Sequence, residues 1–301
     1  MMLSSHLGEI AALLTALFWT ITAMAFESAG KKVGSLPVNW IRLVFGFIFI
    51  SFFTLITRGQ LFPMDAPAFT WKWLFISGLI GFAIGDLLLF RAFVVIGSRI
   101  SMLIMSLVPP FTALIGWMVL GEVLSGSDIL GMALTISGIA LVVLESQPGK
   151  TKIRFSHPVI GILLALGGAL GQSIGLILSK LGMRDYNAFA ATQIRIIAGI
   201  FAFSILFFPL KTWPRVQSAL RNVQGMKPLI IGAFFGPFLG VGFSLLAVQH
   251  TAAGVASTIM SIVPVLIIPP AIILYREKVS FREILGAFIA VSGVALLFLT
   301  K

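Results

Sequence analysis

The chain has 301 residues, of which 58% are apolar and 10% charged, against roughly 45–50% and 25% in a soluble globular chain. Its 21 Lys and Arg outnumber its 10 Asp and Glu, giving a formal charge of +11, but the basic residues lie in the gaps between apolar runs rather than on one face with aromatics, which excludes a nucleic-acid footprint. Cysteine is absent, which removes disulfides, thiolate metal sites and cysteine nucleophiles together.

Apolar runs long enough to cross a bilayer fall at 7–26, 36–57, 71–91, 98–120, 127–145, 158–179, 187–209, 227–248, 254–275 and 283–300. Ten spans of about 20 residues take roughly 200 positions, leaving no room for a soluble catalytic domain. The first run has no Lys or Arg ahead of it, so it lacks the basic start of a cleaved signal peptide and reads as a retained first helix. The gaps carry turn and charge signals such as Glu27-Ser-Ala-Gly-Lys31-Lys32 and Arg58-Gly-Gln. The longest central gap, from Gln147 to Arg154, is polar throughout. It divides the chain into a first half of 1–145, a linker of 146–157 and a second half of 158–301.

The chain repeats itself. A shift of 153 aligns Gly8 with Gly161, Ala16-Leu17 with Ala169-Leu170, and Ile41-Arg42 with Ile194-Arg195. A shift of 155 aligns 72–144 with 227–299 without a gap and with 21 identities. The polar and punctuating matches hold this alignment: Gly81-x-x-x-Gly85 on Gly236-x-x-x-Gly240, Met105-Ser106-x-Val108-Pro109 on Met260-Ser261-x-Val263-Pro264, and Glu122 on Glu277. Each copy has five spans, an odd number, so the second enters the membrane from the opposite side. The expected fold is an all-α membrane protein of ten transmembrane helices in two inverted five-helix repeats. Such halves can exchange shapes and expose one central site to either side in turn, the architecture of many secondary transporters.

Several stretches also resemble a known family. Phe18-Trp19 in the first span, Ile41-Arg42 opening the second, and Val108-Pro109, Leu120-Gly121-Glu122, Leu130-Gly131 and Ser137-Gly138 with their second-half counterparts are similar to the two EamA-type modules of the drug/metabolite transporter superfamily. The resemblance covers nearly the whole chain. It implies an exporter or exchanger of small polar metabolites, amino acids or related compounds, with a cavity between the halves and a place in a bacterial inner membrane. Trp19 becomes Gln172 in the second copy, and the Gly before Glu122 becomes Arg276, so cavity details do not transfer between halves.

Ser125-x-x-Asp128 and Ser280-x-x-Glu283 precede apolar runs and read as capping boxes that start helices. The paired glycines allow close helix approach. Pro109-Pro110 in the fourth span, with Pro264 and Pro269-Pro270 in the ninth, should kink or break their helices, and interrupted segments at corresponding places in two halves point to a binding site. Ionisable residues within spans are costly. Asp86 is the deepest; it either pairs with Arg42 or carries a coupled proton. Arg42 and Arg195, at equivalent positions, either extend to the interface or line the cavity, where their forks would suit a carboxylate or phosphate. Trp19 either stacks on substrate or packs in the bilayer, while Glu9 and Glu27 read as interfacial. The candidate cavity set is Trp19, Asn39, Arg42, Asp86, Ser106, Pro109, Gln172, Gln193, Arg195, Ser261 and Pro264, with no catalytic residue, metal or cofactor.

Gly149-Lys150-Thr151 has the ending of a phosphate loop but Leu144 in place of its first glycine, which disfavours ATP-driven pumping. The implied partners are a metabolite, a coupled proton and the bilayer, for a monomer or homodimer. A membrane enzyme acting on lipid would need a nucleophile constellation that the sequence lacks; a lipid translocase would show a lateral opening in place of an enclosed polar cavity. Loops on the side of the N-terminus hold five basic residues and those opposite hold fourteen, which places both termini outside the cytoplasm. The resemblance implies cytoplasmic termini, and both orientations stay open.

Overall fold

A computed structural model describes residues 6–120, 126–146, 153–155, 157–251, 253–276 and 278–299. Glu122, Ser125 and Glu277 lie outside them. The first half opens with two long helices, α1 (Leu7–Val33) and α2 (Ser35–Arg58), joined by the single residue Gly34 at φ 86° and ψ 150°, a backbone conformation almost closed to residues with a Cβ. After a loop come α3 (Ala68–Gly78), a π-helical segment (Leu79–Gly85) and α4 (Asp86–Met105), which is interrupted at Gly97, φ 80°. Glu27, expected at the interface, is buried. Its Oε2 accepts from Ser98 N at 2.7 Å, so it caps the short helix that begins after the Gly97 break.

α5 (Val108–Leu120) and α6 (Gly126–Val143) complete the half. At the boundary of the halves, Leu144–Ser146 (β1) pairs antiparallel with Ile153–Phe155 (β2), a short ribbon in an otherwise helical fold. The amides on both sides of the half boundary thus satisfy one another in a small ribbon.

The second half runs through α7 (Val159–Met183), α8 (Ala188–Phe207), the short α9 (Trp213–Arg221) and α10 (Val223–Ala233). A second π segment (Phe234–Gly240), α11 (Val241–His250), α12 (Ala253–Met260), α13 (Val263–Leu266), α14 (Ile268–Tyr275) and α15 (Phe281–Leu299) follow. Side chains start several of these helices. Asn187 Oδ1 accepts from Phe189 N and Ala190 N, each at 3.1 Å. Ser280 and Glu283 form the reciprocal capping box, with Ser280 N donating to Glu283 Oε2 and Glu283 N to Ser280 Oγ, each at 3.3 Å.

The proline breaks fall where the chemistry of a missing amide requires. α4 ends at Met105 and α5 restarts one residue before Pro109; α12 ends at Met260, and both α13 and α14 carry proline in their first two positions. Proline is best accommodated in the first turn of a helix, where its missing N–H would be unpaired anyway, although Pro228 and Pro237 stand inside α10 and the second π segment. α9 lies in a gap that the apolar runs do not mark. It is amphipathic: Val216 and Ala219 are buried, and Trp213 stands edge-on to Trp40 with centroids 5.3 Å apart.

Seven helical stretches among the described residues are long and apolar enough to cross a bilayer. The outer surface confirms which solvent they meet: Phe52, Ile56, Met118, Ile273 and Leu274 are all more than 60% exposed, whereas Asn39, Arg42, Asp86, Gln193 and Arg195 are buried. Apolar outside and polar inside is the arrangement of a protein surrounded by lipid.

The halves interlock by crossing over. α7 of the second half packs on α3, the first π segment and α4; α1 of the first half packs on α10, the second π segment and α11. The two π segments are seven residues each and lie 155 positions apart. Their last glycines meet repeat partners: a Cβ on Gly85 would stand 3.4 Å from Gln172 N, and one on Gly240 would stand 2.8 Å from the Trp19 ring. α6 and α15, themselves repeat partners, pack on each other through Gly138, Gly286 and Gly293, with Thr135 Oγ1 donating to Ala290 O at 3.3 Å. Small residues bring backbones together where lipid offers no hydrophobic drive for association.

Candidate functional site

Between the crossed pairs lies a cavity of about 140 Å³. Its wall combines residues of α1, α2, α4, α5, α7, α8, α11, α12 and α13 with both π segments. Of the sequence candidates, Trp19, Arg42, Asp86, Ser106, Pro109, Gln172, Arg195, Ser261 and Pro264 all line it. Asn39 stands one layer behind. Gln193 lies elsewhere: its Nε2 donates to Ser51 Oγ at 2.7 Å and to Leu61 O at 2.5 Å, tying α8 to α2 and to the loop after it.

Three lining residues carry charge. Asp86 is the first residue after the π segment, where an extra residue per turn changes the direction in which the following helix faces. Arg42 Nη2 lies 2.5 Å from Asp86 Oδ2 and 3.3 Å from Asn39 Oδ1. Gln172 Nε2 donates to the other carboxylate oxygen, Oδ1, at 2.6 Å. Asn39 Nδ2 also reaches the Asp86 carbonyl at 3.4 Å. Both oxygens of the one acidic group are therefore occupied, one from its own half and one from the opposite half. Arg42 is further held against the Phe90 ring, its Cζ 4.4 Å from the centroid, a cation–π contact that gains strength away from water.

Arg195 is arranged differently. It comes from α8, which approaches α3 so closely that Gly78 is pressed against the Arg195 backbone. Its Cζ stands 4.6 Å over the Phe82 ring, it is 3% exposed, and its Nε lacks a hydrogen-bond partner. Among the described residues it forms no ion pair. The hydroxyls of Thr22, Ser106 and Ser257 line the same cavity and are also buried without a partner.

Aromatic and sulfur-bearing side chains fill the rest of the wall: Phe26, Phe82, Phe90, Phe93, Met102, Met105 and Met260. Sequence reasoning passed over most of these, along with Thr22, Ser244 and Ser257. A signal was present. Thr22, Ala23 and Phe26 follow Trp19 at helical spacing, Phe90 follows Asp86 by one turn, and Met102 is the repeat partner of Ser257.

Polar contacts, most of them between halves, lie at both ends of the bundle. Near the chain termini, Arg58 Nη2 lies 2.6 Å from Asp65 Oδ2, and Tyr186 Oη donates to Asp65 Oδ1 at 2.8 Å. Burial pushes the Tyr186 phenol up to about 12, so it remains a donor at physiological pH. At the opposite end Arg99 pairs with Glu283, and Arg282 donates to the Leu144 carbonyl.

The family is now determined. The EamA-like transporter family matches residues 6–144 and again 159–299. A protein of Clostridium kluyveri named as an uncharacterized transporter is 23% identical to this chain over 95% of its length and 91% of the relative's. An uncharacterized transporter of Archaeoglobus fulgidus is 21% identical over 93% and 95%. A solved crystal structure of a protein 16% identical in sequence superposes with a TM-score of 0.63 over 97% of this chain and 96% of the other, a likeness of fold. This chain is an integral membrane protein of the EamA-like transporter family.

Proposed function

We propose that the chain is a secondary transporter that exports small polar metabolites, amino acids or related compounds, across a bacterial plasma membrane by alternating access. In this reading ten spans form two inverted halves, 1–145 and 158–301, joined by 146–157. One observation carries it: the two π-interrupted segments lie at one repeat offset and pack on equivalent residues of the opposite half, around a buried charged cavity. Two equivalent seams can exchange tight and loose states, so that the cavity opens to each side in turn. The driving force is a gradient of the substrate or of a proton carried by Asp86. Moving one charge through 100 mV supplies about 2.3 kcal/mol.

The absence of cysteine gives a clean background for the test. A single cysteine replacing Ser106 or Ser261 is introduced into protein reconstituted in liposomes of known orientation, and a membrane-impermeant thiol reagent is added to one side at a time. Alternating access predicts modification from either side, protected by substrate. Modification from one side only, in protein that still transports, overturns the mechanism.

A further inference from the structure

We infer that the cavity selects a substrate of net charge minus one, a carboxylate with an apolar or aromatic body, and that Arg195 is the residue that seats the carboxylate. This rests on the transporter reading for the cavity being the transport site, and narrows its substrates from amino acids and related compounds to the related acids that lack the ammonium group.

The charge inventory is the first argument. Arg42, Arg195 and Asp86 line the cavity and leave one positive charge over. A buried, uncompensated charge in a poorly polarisable environment is expensive unless something neutralises it. Asp86 attracts Arg195 across the cavity but gives it no hydrogen bond, its two oxygens accepting from Arg42 and Gln172. The guanidinium of Arg195 lies over the Phe82 ring and its Nε has no hydrogen-bond partner, and a planar fork with an unsatisfied donor matches a carboxylate. A monoanion makes the buried inventory neutral. A zwitterion leaves the surplus charge in place and adds an ammonium for which the cavity has no free acceptor carboxylate.

The second argument is the rest of the wall. Hydroxyls of Thr22, Ser106 and Ser257 are buried without partners and can donate to a further oxygen. The remaining surface is aromatic and methionine-rich, which favours a compact apolar body.

The test uses three probes of one shape: 3-phenylpropanoate, its neutral amide 3-phenylpropanamide, and zwitterionic phenylalanine. Ligand-dependent thermal stability of the purified full chain reads binding, since a ligand that binds only the folded state raises its stability. The expected order is propanoate well above phenylalanine, with the amide weakest. Arg195→Gln should weaken propanoate binding roughly tenfold to a hundredfold, the range for a hydrogen-bonded charged contact, and bring the acid and the amide together. Arg195→Lys should retain preference for the acid at reduced affinity, which separates loss of charge from loss of fold. Equal binding of acid and amide, an undiminished acid preference in both variants, or no stabilisation by the acid overturns the inference. Saturable acid binding without uptake into liposomes would leave the inference standing and remove the transport reading instead.

Discussion

Arg42 and Asp86 are held to each other more strongly than to anything else in the cavity, and their mutual dependence is measurable. Removing Arg42 alone leaves a buried carboxylate facing Gln172 and no cation within hydrogen-bond reach. Breaking a buried pair from one side costs about 3–5 kcal/mol, whereas replacing both partners is often close to neutral. Arg42→Ala should therefore lower the thermal midpoint sharply, and Arg42→Ala with Asp86→Asn should restore much of the loss. Equal destabilisation by the single and double changes would show that the pair is not the reason. The pair was among the alternatives that the sequence left open, because two opposite charges within spans need partners. Arg42 was the partner named, although Arg42 and Arg195 occupy equivalent repeat positions; the structure has Arg42 in that place, while Arg195 lies over Phe82. Gln193 looked like a cavity residue for its polarity and its place beside Arg195, but successive helical residues point about 100° apart, and this side chain turns toward the loop at Leu61.

Elements were legible where proline or glycine punctuates them. The breaks ahead of Pro109, Pro264 and Pro269 follow from the missing amide, whereas the pairing of α6 with α15 through Gly138, Gly286 and Gly293 comes from the structure alone. The π segments were not legible, since an extra residue in a helical turn leaves no mark in an apolar run; the paired glycines only showed where backbones meet. α9 was missed because it is too short and too polar to register as a span. The α6 and α15 seam gives an element-scale expectation. A Cβ at Gly138 would stand 2.5 Å from the Ala290 backbone nitrogen, and backbone cannot rotate aside. Gly138→Val should cost about 1–3 kcal/mol, the usual cost of overpacking, read as a lowered unfolding midpoint. An unchanged midpoint would mean that the two helices separate freely.

At the scale of the whole molecule, the repeat pointed to two related halves around a cavity, while the crossover of helices between them was not foreseen and the cavity's chemistry departs from the symmetry. Trp19 and Gln172 are repeat partners with different work: one ring packs against Gly240, and one amide holds Asp86. Val241 stands where the first half has Asp86. Divergence at such positions gives a single polar centre instead of two, and no repeat alignment can say which copy retains it. The end contacts diverge too. Arg99 and Glu283 bridge the halves at one end, whereas their repeat positions are Gly254 and Asp128.

The crossover also governs the order in which the protein can be made. α3 and α4 are synthesised before α7 exists, so the glycine seam of the first half and the Asp86 oxygen reserved for Gln172 wait for a helix from the later half of the chain. A first half released alone, residues 1–145, should fail to accumulate in the membrane, and supplying 158–301 as a separate polypeptide should rescue it, as read by the amount of each half recovered from membranes after mild extraction. Stable accumulation of 1–145 without its partner would mean that each half completes itself. The chain is therefore expected to reach its final form only near the end of synthesis, with the second oxygen of Asp86 satisfied only once α7 is in place.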